Sequence, residues 1–253
     1  MHDLAQVKSE LAPTGVLRVA INFGNPVLAQ PGPQGAPKGV SVALAECLAQ
    51  EVNLDVEFIT FDAAGKVFGA LAENAWNIAF LAIEPVREAQ LHFSTPYVII
   101  EGTYLVASGS RYQTAADLDH AEAVIAVGRG AAYDLFLSRT LTAARLERAD
   151  TSVAAVELFC EQRLDAAAGV RQPLDAFAKA NAGLRVLKDS FTSIQQAIAV
   201  PRGRTLAAAY IQDFVERQLK NNFVTKALLQ SGQADLSAKR KPGVMKTTSK
   251  KRL

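Results

Sequence analysis

The fold is decided by residues 77–98, which read NIAFLAIEPVREAQLHFSTPYV. Branched and aromatic apolar residues fill the first part, NIAFLAI, as expected for a buried strand. Pro85 and Arg87 follow in a turn, and Pro96 separates the segment from a second apolar stretch, YVIIEGTYLVAS. Ligands in open α/β sheets bind beyond the carboxyl ends of strands, so a charged residue in this turn is a candidate for ligand contact.

Strands and helices alternate on both sides of this segment. Before it, the spacing of apolar residues predicts the strands VLRVAINF (16–23) and VEFIT (56–60) and the helices VSVALAECLAQEVN (40–53) and KVFGALAENA (66–75). After Ala107 the alternation restarts with AVIAVG, AAYDLFLSRTL, ARLERA, TSVAAVELFCEQ, DAAAGV, RVLKD and QQAIAV, and it ends in the helices TLAAAYIQDFVERQL and NNFVTKALLQS. The alternation predicts an α/β protein with a parallel-containing sheet, and the restart predicts a second lobe.

Both ends of the chain are predicted to lie outside the lobes. Leu4, Val7 and Leu11 have helical spacing, so residues 1–14 are expected to hold a short helix. Residues 236–253 carry seven basic side chains and no acid. Such a segment buries too little apolar surface to fold, which predicts a disordered basic tail, with loose contact to anionic lipid or nucleic acid left open.

Composition excludes several classes of protein. Hydrophobic residues make up 49% and charged residues 21%, as in an ordinary globular protein. Cys47 and Cys160 cannot form a disulfide framework, and the scattered histidines lack metal-ligand spacing, so no metal and no cofactor are expected. No apolar run reaches the roughly 18 residues of a membrane span. The start shows no signal peptide, which predicts a cytoplasmic protein, or a periplasmic one if a signal has been removed.

Four segments together resemble the bacterial extracellular solute-binding proteins of family 3, the amino-acid type. The segments are LRVAINFGNP, GVSVALAECLAQEVNLDVEFI, NIAFLAIEPVREAQLHFSTPYV and AVIAVGRGAAYDLFL, and the resemblance covers residues 15–230. It implies a two-lobed type 2 periplasmic-binding fold in which each lobe is a mixed sheet flanked by helices. Lobe 1 is then expected at 15–106 and 197–230, lobe 2 at 107–196, and the two hinge crossings near 101–107 and 192–197.

The resemblance assigns a role to Arg87. In the family, the arginine at this point of the motif clamps the carboxylate of a bound amino acid, and the same task is implied for Arg87. A guanidinium can meet a carboxylate with two charge-assisted hydrogen bonds, whereas a lysine offers a point charge. The alternative is a surface arginine that caps a helix or pairs with Glu88.

A second anion contact is expected at GRGAAYD, where a glycine-flanked loop opens a helix and presents backbone N–H groups. The family usually has serine or threonine after the glycine, whereas this chain has Gly130 and Ala131, so the hydroxyl is lost. Tyr133 could stack on the ligand or donate to it, and a core aromatic is the alternative. An ordinary turn between a strand and a helix remains an alternative for the whole loop.

The departures from the family motif bear on the ligand. Phe80 and Ala82 replace small or hydroxylated contact residues, and Glu84 enters the turn. Val170 and Arg171 occupy the place where the family has an aspartate for the ligand's amino group. A cation cannot hold an ammonium, so Arg171 would suit a second carboxylate, a phosphate or another electron-rich group.

Three further polar residues are candidates for the cleft. Asn22 and Asn25 follow the first strand and could offer amide groups to a ligand, with an Asx turn as the alternative. Lys66 could face Glu84 across the site, with a solvated lysine as the alternative.

The leading functional prediction is capture of a small organic acid or amino-acid-like ligand by a monomer that works with an ABC permease, without a specific nucleic-acid partner. The first alternative is a cytoplasmic enzyme of dehydratase or lyase type, because cyclohexadienyl dehydratases resemble the same family; Glu84, Lys66 and Arg171 would then supply acid–base chemistry. A cytosolic ligand sensor is the third possibility.

Overall fold

The structure is a computed structural model that describes residues 2–238. Its strands are β1 (Val16–Asn22), β2 (Gln30–Pro31), β3 (Pro37–Lys38), β4 (Asp55–Phe61), β5 (Ile78–Ala82), β6 (Leu91–Phe93), β7 (Val98–Ala107), β8 (Val124–Gly128), β9 (Arg145–Ala149), β10 (Ala166–Val170), β11 (Leu184–Val186) and β12 (Thr192–Pro201). Its helices are α1 (Leu4–Leu11), α2 (Val40–Glu51), α3 (Ala64–Gly69), α4 (Pro85–Glu88), α5 (Ala132–Thr140), α6 (Ser152–Gln162), α7 (Arg171–Ala180), α8 (Thr205–Lys220), α9 (Phe223–Gln230) and α10 (Ala234–Ala238).

Ten of the strands form one curled, mixed sheet in the order β4-β1-β5-β12-β7-β10-β8-β9, with β6 paired to β12 and β11 paired to β7, whereas β2 and β3 form a separate two-stranded sheet. In the first half, β1 runs parallel to β4 and β5. In the second half, β8 runs parallel to β9 and β10. We call the half around β1, β4, β5 and β6 the first lobe, and the half around β8, β9, β10 and β11 the second lobe. The predicted mixed α/β architecture is confirmed.

Two long strands, β7 and β12, connect the lobes. Residues 98–102 of β7 pair with β12, and residues 102–105 pair with β10 of the second lobe. Residues 192–196 of β12 pair with β7, and residues 196–199 pair with β5 of the first lobe. The hydrogen-bonded sheet therefore continues from the first lobe to the second, because β7 and β12 pair with each other. The predicted hinges at 101–107 and 192–197 fall on these strands.

Apolar residues cover both faces of the sheet, as expected when helices pack on both sides. All five residues of β5 are buried. Trp76, which is 1% exposed, packs with Val67 and Leu81 under the first lobe, and its ring nitrogen donates to the Val67 carbonyl oxygen at 2.9 Å. Ala126, Phe159 and Leu174 belong to the corresponding cluster in the second lobe. These clusters hold the strand ends at fixed positions around the space between the lobes.

Several elements differ from the sequence-based expectation. Helix α3 ends at Gly69 rather than near Ala75, because the chain turns and Asn74 adopts a left-handed backbone (φ 50°) before β5. Helix α7 was not predicted, since it follows β10 without an intervening loop. Residues 236–238, expected to be disordered, belong to α10. The rest of the predicted tail, 239–253, lies outside the described residues.

Within residues 2–238, no helix has the length and apolarity that crossing a membrane would require.

The predicted helix near the start is present as α1, where the Asp3 side chain accepts from the backbone nitrogens of Ala5 and Gln6. Cys47 and Cys160 are both free thiols.

Candidate ligand-binding site

A cavity of about 320 Å³ lies between the lobes. This volume is within the range of small-molecule sites. Both lobes line the cavity, mainly at strand ends and at the starts of the helices that follow them. Most of the lining side chains are apolar: Phe23, Phe80, Val153, Val156, Leu174, Phe177 and Ile194.

Arg87 borders the cavity from the first lobe and is almost completely buried, at 1% exposure. It lies on α4, directly after β5. Its Nη1 donates to the carbonyl oxygen of Ala82 at 2.9 Å, and its Nη2 donates to the carbonyl oxygen of Gly130 in the second lobe at 2.8 Å. Its buried Nε has no hydrogen-bond partner among the described residues. Arg87 is therefore fixed in place with a donor to spare.

The buried surroundings of Arg87 disfavour the charged form of its side chain. Burial lowers the pKa of Arg87 to about 10, although the nearby Glu84 carboxylate opposes this effect. The side chain is still a cation at neutral pH. A buried cation of this kind is stabilised by any anion that reaches it, because an unpaired charge in a low-dielectric site is costly.

The loop before α5 approaches Arg87 from the opposite lobe. Gly130 has a left-handed backbone (φ 69°), which orients its carbonyl oxygen toward Arg87. The Gly130 nitrogen donates to Asp134 Oδ2 at 2.8 Å, and the Ala131 nitrogen donates to the Gly128 carbonyl oxygen at 3.1 Å. These two N–H groups are thus used within the protein, so the loop meets the cavity with the Ala131 side chain rather than with two open donors.

Tyr133 forms part of the wall at the start of α5. It is 3% exposed, and its hydroxyl donates to Ser152 Oγ at 2.8 Å, which links the starts of α5 and α6. Burial raises the pKa of Tyr133 to about 12, so the phenol stays neutral at ordinary pH.

The two asparagines after β1 both border the cavity but differ in their bonding. Asn22 Oδ1 accepts from the Gly24 nitrogen at 2.9 Å, which is the Asx turn that the sequence left open. Asn25 is 8% exposed, and its Oδ1 has no partner among the described residues. Phe80 and Ala82 line the same wall, and the Phe80 ring packs edge-on against Tyr97 at 5.7 Å between centroids.

Three charged candidates lie outside the cavity lining. Lys66 Nζ bonds to Asp62 Oδ2 at 2.8 Å on the surface rather than facing Glu84. Glu84 accepts from Arg139 Nη1 at 2.5 Å. Arg171 Nε donates to Glu101 Oε2 at 2.5 Å, and its terminal nitrogens donate to backbone carbonyls in the loop before β12. Each of these three charged side chains therefore forms an ion pair within the protein.

Other lining residues carried weaker signals in the sequence. Thr151 and Ser152 follow β9, where the rule that ligands bind beyond strand ends would have pointed to them. Phe177 belongs to the unpredicted α7. Gln196 lies in the middle of β12 and is 7% exposed, and no local pattern marks it. Within residues 2–238, no group of three or more His, Cys, Asp or Glu side chains is placed to hold a metal ion.

Two lobes joined by paired crossing strands, with a ligand-sized cavity between them, define a two-lobed binding protein. A model of the bacterial extracellular solute-binding proteins, family 3, matches residues 17–240. The chain belongs to this family, as its motifs predicted. A search of curated proteins found no match.

Solved structures support the same fold. The receptor for L-cysteine of Neisseria gonorrhoeae aligns with a TM-score of 0.79 at 19% identity, over 94% of this chain and 97% of that one. The cysteine-binding protein of Campylobacter jejuni aligns with a TM-score of 0.77 at 21% identity, over 95% and 97%. An ancestral amino acid-binding protein, a precursor of cyclohexadienyl dehydratase, gives 0.73 at 20%, over 91% and 99%. At these identities the likeness confirms the predicted type 2 periplasmic-binding fold.

Proposed function

We propose that this protein captures a small carboxylate-bearing solute between its lobes and delivers it to an ABC permease. The observation that carries the proposal is Arg87, a 99% buried cation at the cavity wall whose Nε lacks a partner among the described residues. A carboxylate would supply both the missing acceptor and the missing negative charge.

The position of Arg87 between the lobes supports a link between binding and closure. Its Nη2 reaches Gly130 of the second lobe at 2.8 Å, so the residue that would hold the anion also contacts the opposite wall. A ligand bound to Arg87 would therefore favour the closed arrangement, which is how hinge proteins of this type enclose a solute.

Capture without chemistry accounts for the charged residues better than catalysis does. Glu84, Lys66 and Arg171, which a lyase-like enzyme would use, are paired with Arg139, Asp62 and Glu101 outside the cavity lining. Several of the structural relatives are described as binding cysteine, arginine or lysine, and some of them as components of ABC transporters. These observations favour a transport role for the present chain.

The proposal is tested by binding measurements on the purified protein. Amino, oxo, hydroxy and aryl carboxylates are screened by thermal shift, and each stabilising compound is titrated calorimetrically. A ligand at about 100 times its Kd should add roughly 2.7 kcal/mol of stability. Each compound is then recovered and analysed by mass.

Arg87→Ala is compared with Arg145→Ala, which removes an exposed arginine on β9. We expect Arg87→Ala to abolish most binding and Arg145→Ala to retain it, with the ligand recovered unchanged. Equal binding by the two variants would contradict the role of Arg87 in holding the carboxylate. Consumption of the ligand would show that the protein is an enzyme rather than a binding protein.

A further inference from the structure

We infer that the solute is a monocarboxylate with an apolar side chain and a neutral hydroxyl or keto group in place of an α-ammonium. This inference rests on the proposed function and narrows its ligand class. It follows from the charges and hydrogen-bonding groups around the cavity.

No Asp or Glu borders the cavity in the part of the chain that the structure describes. Val170 borders the cavity at the carboxyl end of β10 and carries no charge, and the Arg171 side chain is bonded to Glu101. An ammonium enclosed here would lose its hydration without gaining a counter-charge, which is costly.

The two buried acids of the described chain are already committed to arginines. Glu84 Oε2 accepts from Arg139 at 2.5 Å, and Asp134 Oδ1 accepts from Arg148 Nε at 3.0 Å. Asp134 also accepts from the Gly130 nitrogen through its other oxygen. Turning either buried acid toward a ligand would break its ion pair with an arginine, so neither is a spare partner for an ammonium.

A neutral acceptor is present instead. Asn25 Oδ1 is buried at the cavity wall and has no partner among the described residues. The backbone carbonyl oxygen of Asn25 accepts from the backbone nitrogens of Leu28 and Ala29 at 3.0 and 3.3 Å, which fixes the position of the residue in its turn. Its carboxamide can accept from a hydroxyl or donate to a keto oxygen.

The remaining walls determine the other two features of the ligand. Phe80, Phe177 and Ile194 make the cavity apolar, which suits a hydrocarbon side chain. Arg129 also borders the cavity, but its side chain is 62% exposed and lies 3.8 Å from Asp150. Arg87 is thus the buried cation of the described lining, and one buried cation suits one carboxylate.

The test compares isosteric sets that differ only at the α-carbon. The full-length protein is titrated with L-leucine, 2-hydroxy-4-methylpentanoate and 4-methyl-2-oxopentanoate, and with L-phenylalanine, 3-phenyllactate and phenylpyruvate. Arg87→Ala is titrated in parallel. We expect a hydroxy or oxo acid to bind on the order of a hundredfold more tightly than its amino acid, and Arg87→Ala to lose that binding.

Asn25→Asp supplies a gain-of-function control. It replaces the neutral oxygen with a carboxylate of nearly the same shape, so the amino acid should gain affinity on the order of tenfold while the hydroxy acid weakens. Amino acids that bind the original protein as tightly as their analogues, in an Arg87-dependent way, would overturn the inference and leave carboxylate capture standing. If no compound of either set binds, carboxylate capture and the inference both fall.

Discussion

Arg139 Nη1 donates to Glu84 Oε2 across the cleft at a distance of 2.5 Å. Glu84 follows β5 in the first lobe, and Arg139 is near the end of α5 in the second. The Glu84 side chain is 8% exposed and the Arg139 side chain 42%. This ion pair therefore joins the two lobes beside the cavity, close to the contact between Arg87 and Gly130.

Breaking this pair should make the closed form less stable. We expect Arg139→Gln and Glu84→Gln each to weaken ligand binding by about 1 kcal/mol, or roughly fivefold, because one partner stays partly solvated. Titration calorimetry measures the effect. In the double variant the losses should not add, since both changes remove one interaction. Fully additive losses would show that the pair does not hold the lobes together.

Closure of the two lobes should require a glycine at position 65, because the backbones of the two lobes approach each other there too closely for a side chain. A Cβ added at Gly65 would lie 2.7 Å from the Arg129 carbonyl oxygen, across the cleft. Gly65→Ala should therefore weaken ligand binding by about 1.4 kcal/mol or more, which is about tenfold. Stability without ligand should stay similar, because alanine favours a helix.

Gly69→Ala is the matched control for this prediction. Gly69 ends the same helix, and an added Cβ meets nothing within 4 Å. We expect this variant to bind ligand normally in the same titration. Equal affinities for the Gly65 and Gly69 variants would mean that ligand binding does not require the close approach.

Ligand affinity should fall at high pH through Arg87. Burial lowers its pKa to about 10, and a bound carboxylate favours the charged form. Affinity should therefore be constant below pH 10 and decrease by up to about tenfold per pH unit above it. Without ligand the sign is opposite: the lowered pKa means that the unfolded chain keeps its proton longer, so this residue's contribution to stability rises with pH above 10.

Calorimetric titrations at several pH values from 8 to 11 measure this dependence, with circular dichroism confirming that the protein stays folded. An affinity that is independent of pH over this range, in folded protein, would show that Arg87 does not hold the anion.

Arg171 should contribute to stability rather than to binding. It donates to Glu101 on β7 and to the carbonyl oxygens of Leu187 and Asp189, so it connects β7 to the loop before β12. Arg171→Ala should lower the free energy of unfolding by about 2 to 3 kcal/mol, since hydrogen bonds to charged groups are lost. Urea unfolding measures this loss. A large fall in ligand affinity with unchanged stability would contradict this prediction and indicate that Arg171 contacts the ligand.

Part of the site was already accessible from the sequence. The apolar run before Arg87 marks a strand end, and the motif around it assigns a role that the buried position and spare donor of Arg87 support. Asn25 was named because it follows the first strand, and Phe80 and Ala82 because they replace the family's contact residues before the arginine; all three border the cavity. Local pattern was sufficient here because the carboxyl end of a strand is defined by consecutive residues.

The partners of charged residues could not be predicted in this way. The sequence left open whether Lys66 faces Glu84 or is solvated; Lys66 bonds to Asp62 on the surface, and Glu84 bonds to Arg139, 55 positions further along the chain. Arg171 was expected near a ligand, whereas it bonds to Glu101, 70 positions earlier. A charged side chain accepts any opposite charge within reach, so its partner depends on which elements are neighbours in space.

The sequence by itself determined the alternation of strands and helices, the family and the position of Arg87, because each of these depends on residues close together in the chain. Tertiary structure decided which charges remain available at the cavity. The lobes bring together residues far apart in sequence, and low-dielectric burial makes each of those charges bond to whatever partner the packing provides.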